Sequence, residues 1–273
     1  MTYYGTAASE SWPAPFCRCP ACRKARQLGG PNIRTRSQAL VDDSLLIDFP
    51  PDTNDHVLRC GLDLEPVTDL LITHSHPDHF YPADLCLRAE PYALGLEDTV
   101  LDVWGNARVH AFFRMEAANT PNISRNVHFH EIEPFASFQT RGGHTVTSLA
   151  TDHMSTEQAL NYLIEKDGRR ILYAHDTGIY PEETWQHLKG MELHLISLDC
   201  TAVTRDWRKG HLGLPGVQIV CARLREIGCL TDDTKVVLNH LAHTEGLCHE
   251  DIVHLAQPLG MTVSYDGLCI DAV

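Results

Sequence analysis

"DLLITHSHPDHF", residues 69–80, sets an apolar run, Leu70-Leu71-Ile72, directly ahead of three histidines and an aspartate. A short, continuous apolar run of this kind suits a strand buried on both faces. His74 and His76 alternate, so an extended backbone projects them the same way. Asp78 and His79 follow where a helix can open, and an acidic side chain there favours the positive end of the helix dipole. A lone histidine after a strand is ordinarily a capped or surface residue. Four side chains of metal-binding type between residues 74 and 79 ask for another explanation.

The pattern recurs along the chain. "VTSLATDH" ends in His153, "RRILYAHD" in Asp176, and "KVVLNHLAH" carries His240 and His243. In α/β folds, loops at strand ends gather on one rim, where sites are built. Strand ends that each offer a neutral imidazole or a carboxylate suit a site for first-row divalent metals.

The remaining pattern reads as mostly strand at first, then strand and helix in alternation. Residues 37–49 read as two strands joined at Asp42-Asp43, and 67–74 as a buried strand. "NARVHAF" (106–112), "NVHFHEI" (126–132), "FASFQT" (135–140) and "HTVTSLATDH" (144–153) read as strands. Residues 160–176 read as strand, turn, strand, with Asp167-Gly168 at the turn. "LHLISLDC" (193–200) and "TKVVLNHLAH" (234–243) add apolar strands. Helices are expected over 20–28, 53–62, 82–94, 181–190, 215–228 and 249–260, and a hairpin over 262–272. The first 35 residues otherwise read as loop. The whole is one mixed α/β domain, 1–273.

Composition narrows the partners. Hydrophobic residues make up 43% of the 273, enough for a sizeable core. The net charge, 22 − 36 = −14, repels phosphate backbones, so long nucleic acid is not an expected partner. A small anionic substrate remains compatible, because bound cations reverse a local field. There is no basic start followed by an apolar stretch and no run long enough to span a bilayer, so neither a signal peptide nor a membrane partner is expected. Ten cysteines, three of them in "CRCPAC", favour metal-bound thiolates over disulfides in a cytoplasmic chain. A homodimer is compatible with these readings.

The H-x-H-x-D-H cluster with its later single donors resembles the metallo-β-lactamase superfamily. That resemblance implies an αβ/βα sandwich, two mixed sheets flanked by helices. It implies two divalent metal ions: His74, His76 and His153 on the first, Asp78, His79 and His240 on the second, and Asp176 between them. Manganese or zinc, with iron possible, suits these donors. A metal-bridging hydroxide would be the nucleophile. Asp78 belongs with both the metal ligands and the catalytic residues.

A second constellation is "FCRCPACRKAR", in a loop at about 14–25. Cys17, Cys19 and Cys22 need a fourth donor for a closed tetrahedral zinc site. His243, three residues after His240, can supply it. A redox role for the C-x-x-C element and metal-free cysteines are the competing readings. The C-x-C-x₂-C loop together with H-x-x-H is similar to the PhnP-like phosphodiesterase group, where a structural zinc ties these two segments. "HDTGIYPEETW", "LDC" at 198–200 and "YDGLCI" extend the similarity. His211, in "DWRKGHLGL", matches a histidine that serves that group as general acid or base; a solvated loop histidine beside Arg208 and Lys209 is the alternative. Asp199 can orient a ligand near the rim.

Two segments depart from the family pattern. "GTAASESWPAP" stands where many relatives are glycine-rich, and "DFPPDTND" lacks the usual glycine after its aspartate. Both are expected near the rim, so the substrate is the open point. The expected function is a dinuclear metal-dependent hydrolase, favouring a phosphodiesterase for a small phosphate ester, cyclic esters included. Hydrolysis of a lactone, thioester or other carbonyl compound is the alternative, and a non-catalytic metal-binding protein the third.

Overall fold

The computed structural model describes residues 1–96 and 99–272. Its strands are β1 (Thr2–Gly5), β2 (Gln38–Val41), β3 (Leu45–Ile47), β4 (Asp69–Leu71), β5 (Leu101–Gly105), β6 (Val127–Glu131), β7 (Ser137–Gln139), β8 (Thr145–Ala150), β9 (Leu160–Lys166), β10 (Arg169–Ala174), β11 (Leu195–Asp199), β12 (Lys235–Asn239) and β13 (Thr262–Val263). Its α-helices are α1 (Pro20–Leu28), α2 (Thr53–Arg59), α3 (Pro82–Leu85), α4 (Ala107–Ala117), α5 (Glu182–Leu188), α6 (Leu214–Glu226) and α7 (His249–Ala256). Strands β1 to β6 lie in sequence order in one sheet. The other runs β13-β12-β11-β10-β9-β8-β7. Both are mixed: antiparallel hairpins lead into parallel strands, β3 to β6 in the first sheet and β10 to β13 in the second.

Strand alternation builds three apolar layers. In β10, Ile171 and Tyr173 face the other sheet, while Leu172 and Ala174 face the helices. In the first sheet Leu71 points inward, and Leu70 and Ile72 point outward. Between the sheets Tyr3, Val41, Leu45 and Ile47 meet Leu160, Tyr162, Leu195 and Val237. Outside the second sheet, Trp185, Val217, Val220, Leu224 and Ile252 bring α5, α6 and α7 onto it. Outside the first, Leu85, Val109 and Phe113 do the same for α3 and α4. This is the two-sheet sandwich flanked by helices that the resemblance implies.

Four local expectations are corrected. "NARVHAF" is helix, not strand: Asn106 Oδ1 accepts from Arg108 N and Val109 N and caps α4. Val109 and Phe113, four apart, form the buried stripe, a period that a seven-residue window cannot show. The strand is β5, just upstream. The closing segment is not a hairpin either. β13 pairs parallel with β12, and the chain then crosses to edge strand β1, with Tyr3 N donating to Leu268 O (2.8 Å) and Ile270 N to Met1 O (2.9 Å). That covers backbone groups a bare edge would expose. β1 itself lies in the stretch read as loop. The helix after the histidine cluster is also shorter than expected, α3 passing into a 3₁₀ turn at Cys86–Arg88 ahead of Pro91. No helix among the described residues is long and apolar enough to cross a membrane.

A buried polar seam joins the N-terminal segment to α2 and to the C-terminal turn. His56 Nδ1 donates to Gln38 Oε1 (2.5 Å), and its Nε2 lies 2.7 Å from Thr35 Oγ1. Thr35 N and Oγ1 both donate to Asp266 Oδ2. Burial holds His56 down to about 4, against the pull of Asp52 and Asp55. Burial also raises Asp266 to about 6, which titrates in the opposite sense. Since the unfolded chain binds a proton at His56 before the folded one does, its stabilisation is complete above the ordinary histidine pKa and declines as pH falls toward 4. Over that window the native protein should lose about 3 kcal/mol more unfolding free energy than His56→Asn, measured by urea melts across pH. Parallel profiles for the two proteins would contradict this account.

Candidate metal centre and active site

The donors named from the sequence come together at one end of the sandwich. His74, His76 and His153 bring ligand nitrogens within 4.8 Å of one another, as do the donor atoms of Asp78, His79 and His240. Asp176 lies between the two groups, its Oδ2 2.5 Å from His79 Nε2, 3.3 Å from His240 Nε2 and 4.0 Å from His74 Nε2. His76 Nδ1 is 2.8 Å from His74 Nε2 and 3.3 Å from His153 Nε2.

The strand ends explain the convergence. β4 delivers the first four donors, β8 delivers His153, β10 delivers Asp176 and β12 delivers His240. Asp176 and His240 adopt left-handed backbone angles, φ 47° and 59°. For residues other than glycine such a conformation costs of order 1–3 kcal/mol and persists where the surroundings enforce it. Asp48, after β3, does the same at φ 63°.

Four of the five rings have a polar partner at the outer nitrogen. His79 Nδ1 donates to Asp48 Oδ2 (2.7 Å), and His153 Nδ1 to Gly210 O (3.0 Å). His74 Nδ1 lies 3.0 Å from Thr73 Oγ1. His240 Nδ1 lies 2.8 Å from Thr201 Oγ1, whose hydroxyl donates to His240 O. With each of these four rings neutral, the inner nitrogens point lone pairs toward common points. Asp176 Oδ2 is buried and accepts no well-directed hydrogen bond among the described residues.

The electrostatics agree. Burial disfavours an imidazolium at His79, yet Asp176, Asp78 and Asp48 outweigh it and hold the ring well above the usual histidine range. Burial would raise Asp176, but His240, His79 and His74 hold it well below the carboxylate range. A field that keeps a fully buried imidazole protonated also favours a small cation. The crowded lone pairs, the orphaned carboxylate oxygen and this field fit divalent metal ions.

The thiolate cluster is a separate group. Cys17, Cys19, Cys22 and His243 place four donor atoms within 4.8 Å of one another, and the cysteines among the described residues are free thiols. His243 Nδ1 faces Cys19 Sγ (3.6 Å) and Cys17 Sγ (3.9 Å). Cys19 caps α1, accepting from Cys22 N. Burial opposes a thiolate at Cys19, but the N–H of Cys22 and the groups of Cys17 and His243 lower it to about 6. Burial instead pushes Cys22 up to about 12. Protons alone thus leave the thiols unequal; three thiolates and an imidazole suit a closed tetrahedral zinc site.

His211 sits at the rim, its side chain 24% exposed. Its Nδ1 donates to Asp199 Oδ2 (2.9 Å) and lies 3.2 Å from Asp176 Oδ1. Asp199 also accepts from the backbone N–H groups of Asp176, Thr201 and Leu212. Burial opposes an imidazolium at His211; Asp199 and Asp176 prevail and raise it to about 9. Its loop packs on Gly178, where a Cβ would lie 2.3 Å from Arg208 O. Arg208 pairs with Asp206 on the surface. A cavity of about 390 Å³ opens over the donors, walled by Ala8, Ser9 and Glu10 on one side and Arg205, Trp207 and Thr244 elsewhere. One departing segment, "GTAASESWPAP", thus reaches the cavity.

Sequence reasoning missed Asp48, Thr201 and Glu157. Glu157 accepts from Ser75 N and Ser75 Oγ, pinning the residue between His74 and His76. None of these lies in a cluster, and only the position of Asp48 after an apolar strand offered a signal. His175, beside Asp176 in the chain, turns instead to Ser197 Oγ (2.7 Å).

The beta-lactamase superfamily domain matches residues 45–240, well over half of the chain. Coenzyme PQQ synthesis protein B of Methylobacterium sp. (strain 4-46) is 23% identical, and the match covers 97% of each chain. Zn(2+)-bound PqqB from Methylobacterium extorquens aligns at a TM-score of 0.72 and 21% identity, covering 99% of both chains. A diphosphatase from the PhnP family aligns at 0.70 and 19%, covering 98% of this chain and 94% of its own. At such identities the solved structures speak for the fold. With the matched segment running from the strand at Leu45 to His240, the last imidazole of the cluster, the chain belongs to the beta-lactamase superfamily and has the metallo-β-lactamase fold.

Proposed function

We propose that this chain is a metal-dependent phosphodiesterase for a small phosphate ester, with His211 as general acid. The observation that carries this reading is the His211–Asp199 contact of 2.9 Å at the rim of the clustered donors. Asp199 occupies Nδ1 and fixes the ring, so a proton passed to a leaving oxygen leaves from Nε2. An alkoxide leaving group needs that proton.

His74, His76, His153, Asp78, His79, Asp176 and His240 would hold two divalent cations, and Cys17, Cys19, Cys22 and His243 a structural zinc. The catalytic pair supplies Lewis acidity toward water and the phosphoryl oxygens. Asp48, Thr73, Thr201 and the Gly210 carbonyl orient the imidazoles from outside. The cavity of about 390 Å³ suits a small ester. The PhnP-family diphosphatase with the same fold supports phosphoryl chemistry. The full-length likeness to coenzyme PQQ synthesis protein B supports a second reading, a hydrolase acting on an intermediate of a small cofactor.

Two measurements test the first reading. His211→Ala should lower kcat about 10²- to 10⁴-fold on an alkyl phosphodiester. It should lower it far less on bis(p-nitrophenyl) phosphate, whose leaving group departs without protonation, with metal content unchanged. Equal losses on both esters would remove His211 as the acid. Turnover of lactones or thioesters with none of phosphodiesters would overturn the phosphodiesterase.

Metal analysis of the purified protein should give about three cations per chain. Cys19→Ser should lower that by one and reduce Tm, while phosphodiester turnover per remaining metal pair persists. A protein that binds only two cations, unaffected by Cys19→Ser, would contradict the structural zinc.

A further inference from the structure

The N-terminal segment "GTAASES" is stitched directly to the segment that bears His240 and His243. Leu241 N donates to Thr6 O (3.0 Å), and Ala8 N to Leu241 O (3.1 Å). The chain then turns sharply, Ser11 N donating to Ala8 O with Ser11 at φ 58°, and Arg36 Nε holds the Ser9 carbonyl (3.0 Å). The tip of that turn is Glu10. It lines the cavity above His76 and Asp78, where a carboxylate repels the anionic ester proposed as substrate. Its Oε1, however, lies 3.4 Å from His243 Nε2, while the other nitrogen of that ring faces the thiols.

We infer that Glu10 is a positioning residue: its carboxylate accepts the Nε2 proton of His243, fixes the tautomer that leaves Nδ1 free to join the three thiolates on a zinc ion, and is thereby drawn away from the incoming anion. This rests on the reading of Cys17, Cys19, Cys22 and His243 as a zinc site. A neutral imidazole carries one proton, and whichever nitrogen holds it cannot bind metal. A carboxylate at the far nitrogen settles the choice and raises the basicity of the ligating one. Glu10 then joins the two sites, with one face toward the substrate cavity and its oxygen toward the thiolate cluster. The bulky replacement for the family's glycine-rich stretch has a positive role on this account. It supplies a support that a glycine cannot.

The test uses the full-length protein with cobalt in place of zinc, because sulfur-to-cobalt charge-transfer absorption reports the thiolate site alone and not the imidazole–carboxylate pair. Glu10→Ala should weaken retention of that band against a chelator about 10- to 100-fold. Glu10→Gln, whose amide oxygen still accepts the Nε2 proton, should retain it close to the native level. The native protein must show the band; its absence overturns the zinc reading and this inference together. A native band that Glu10→Ala retains equally well overturns the inference alone. Equal loss in Glu10→Ala and Glu10→Gln also overturns it, since the acceptor would then not be what matters.

Discussion

Seven donor side chains packed at one end of this sandwich would not stay together for their own sake. Imidazole nitrogens crowded against one another, and a buried carboxylate oxygen with no directed proton, are unfavourable away from water. What holds them is the ring of partners behind them. Asp48 braces His79, Thr201 braces His240, Gly210 braces His153, and Glu157 clamps the backbone between His74 and His76. Asp48 and Thr201 are placed by the buried strands they follow, β3 and β11, while Gly210 and Glu157 reach in from loops. The stability of the apolar layers is in this sense spent on keeping donors in a geometry they would otherwise leave, which is the condition for binding a cation without rearrangement.

The same logic runs through the backbone. Asp48, Asp176 and His240 take left-handed angles that turn the chain at the end of a strand and swing the side chain over the rim. The cost of each is offset by the surrounding hydrogen bonds, and Asp199 shows how. One buried carboxylate accepts from three backbone N–H groups and from His211, so it fixes two strand-end loops and an imidazole at once.

Much of this was legible in the chain because the chemistry is local there. H-x-H-x-D-H is contiguous, and its placement after Leu70-Leu71-Ile72 announces both strand and site. His153, Asp176 and His240 each follow an apolar run and share that signal. Asp48, Thr201 and Glu157 were illegible for the opposite reason: each acts on a partner far along the chain, and its own neighbours carry no pattern. The error over "NARVHAF" has a similar root. A short window of alternating side chains reads as strand, and the stripe formed by Val109 and Phe113 extends past its end. The closing segment reads as a hairpin because nothing within it tells that its partner is the first strand of the chain.

Strands β10, β11 and β12 lie side by side and parallel, so the chain leaves each at the same edge. Asp176, the Asp199–Thr201 pair and His240 therefore arrive as a row, spaced by the sheet and not by the loops beyond them. Those loops, from 201 to 213 and from 241 to 248, also wall the cavity. Within them Thr201, Gly210, His211 and His243 are tied to the donors, while the cavity-lining positions Ala202, Arg205, Trp207 and Thr244 can change character and leave the row fixed. A descendant of this fold can thus exchange one ester for another by editing the walls of the cavity, leaving its floor inherited.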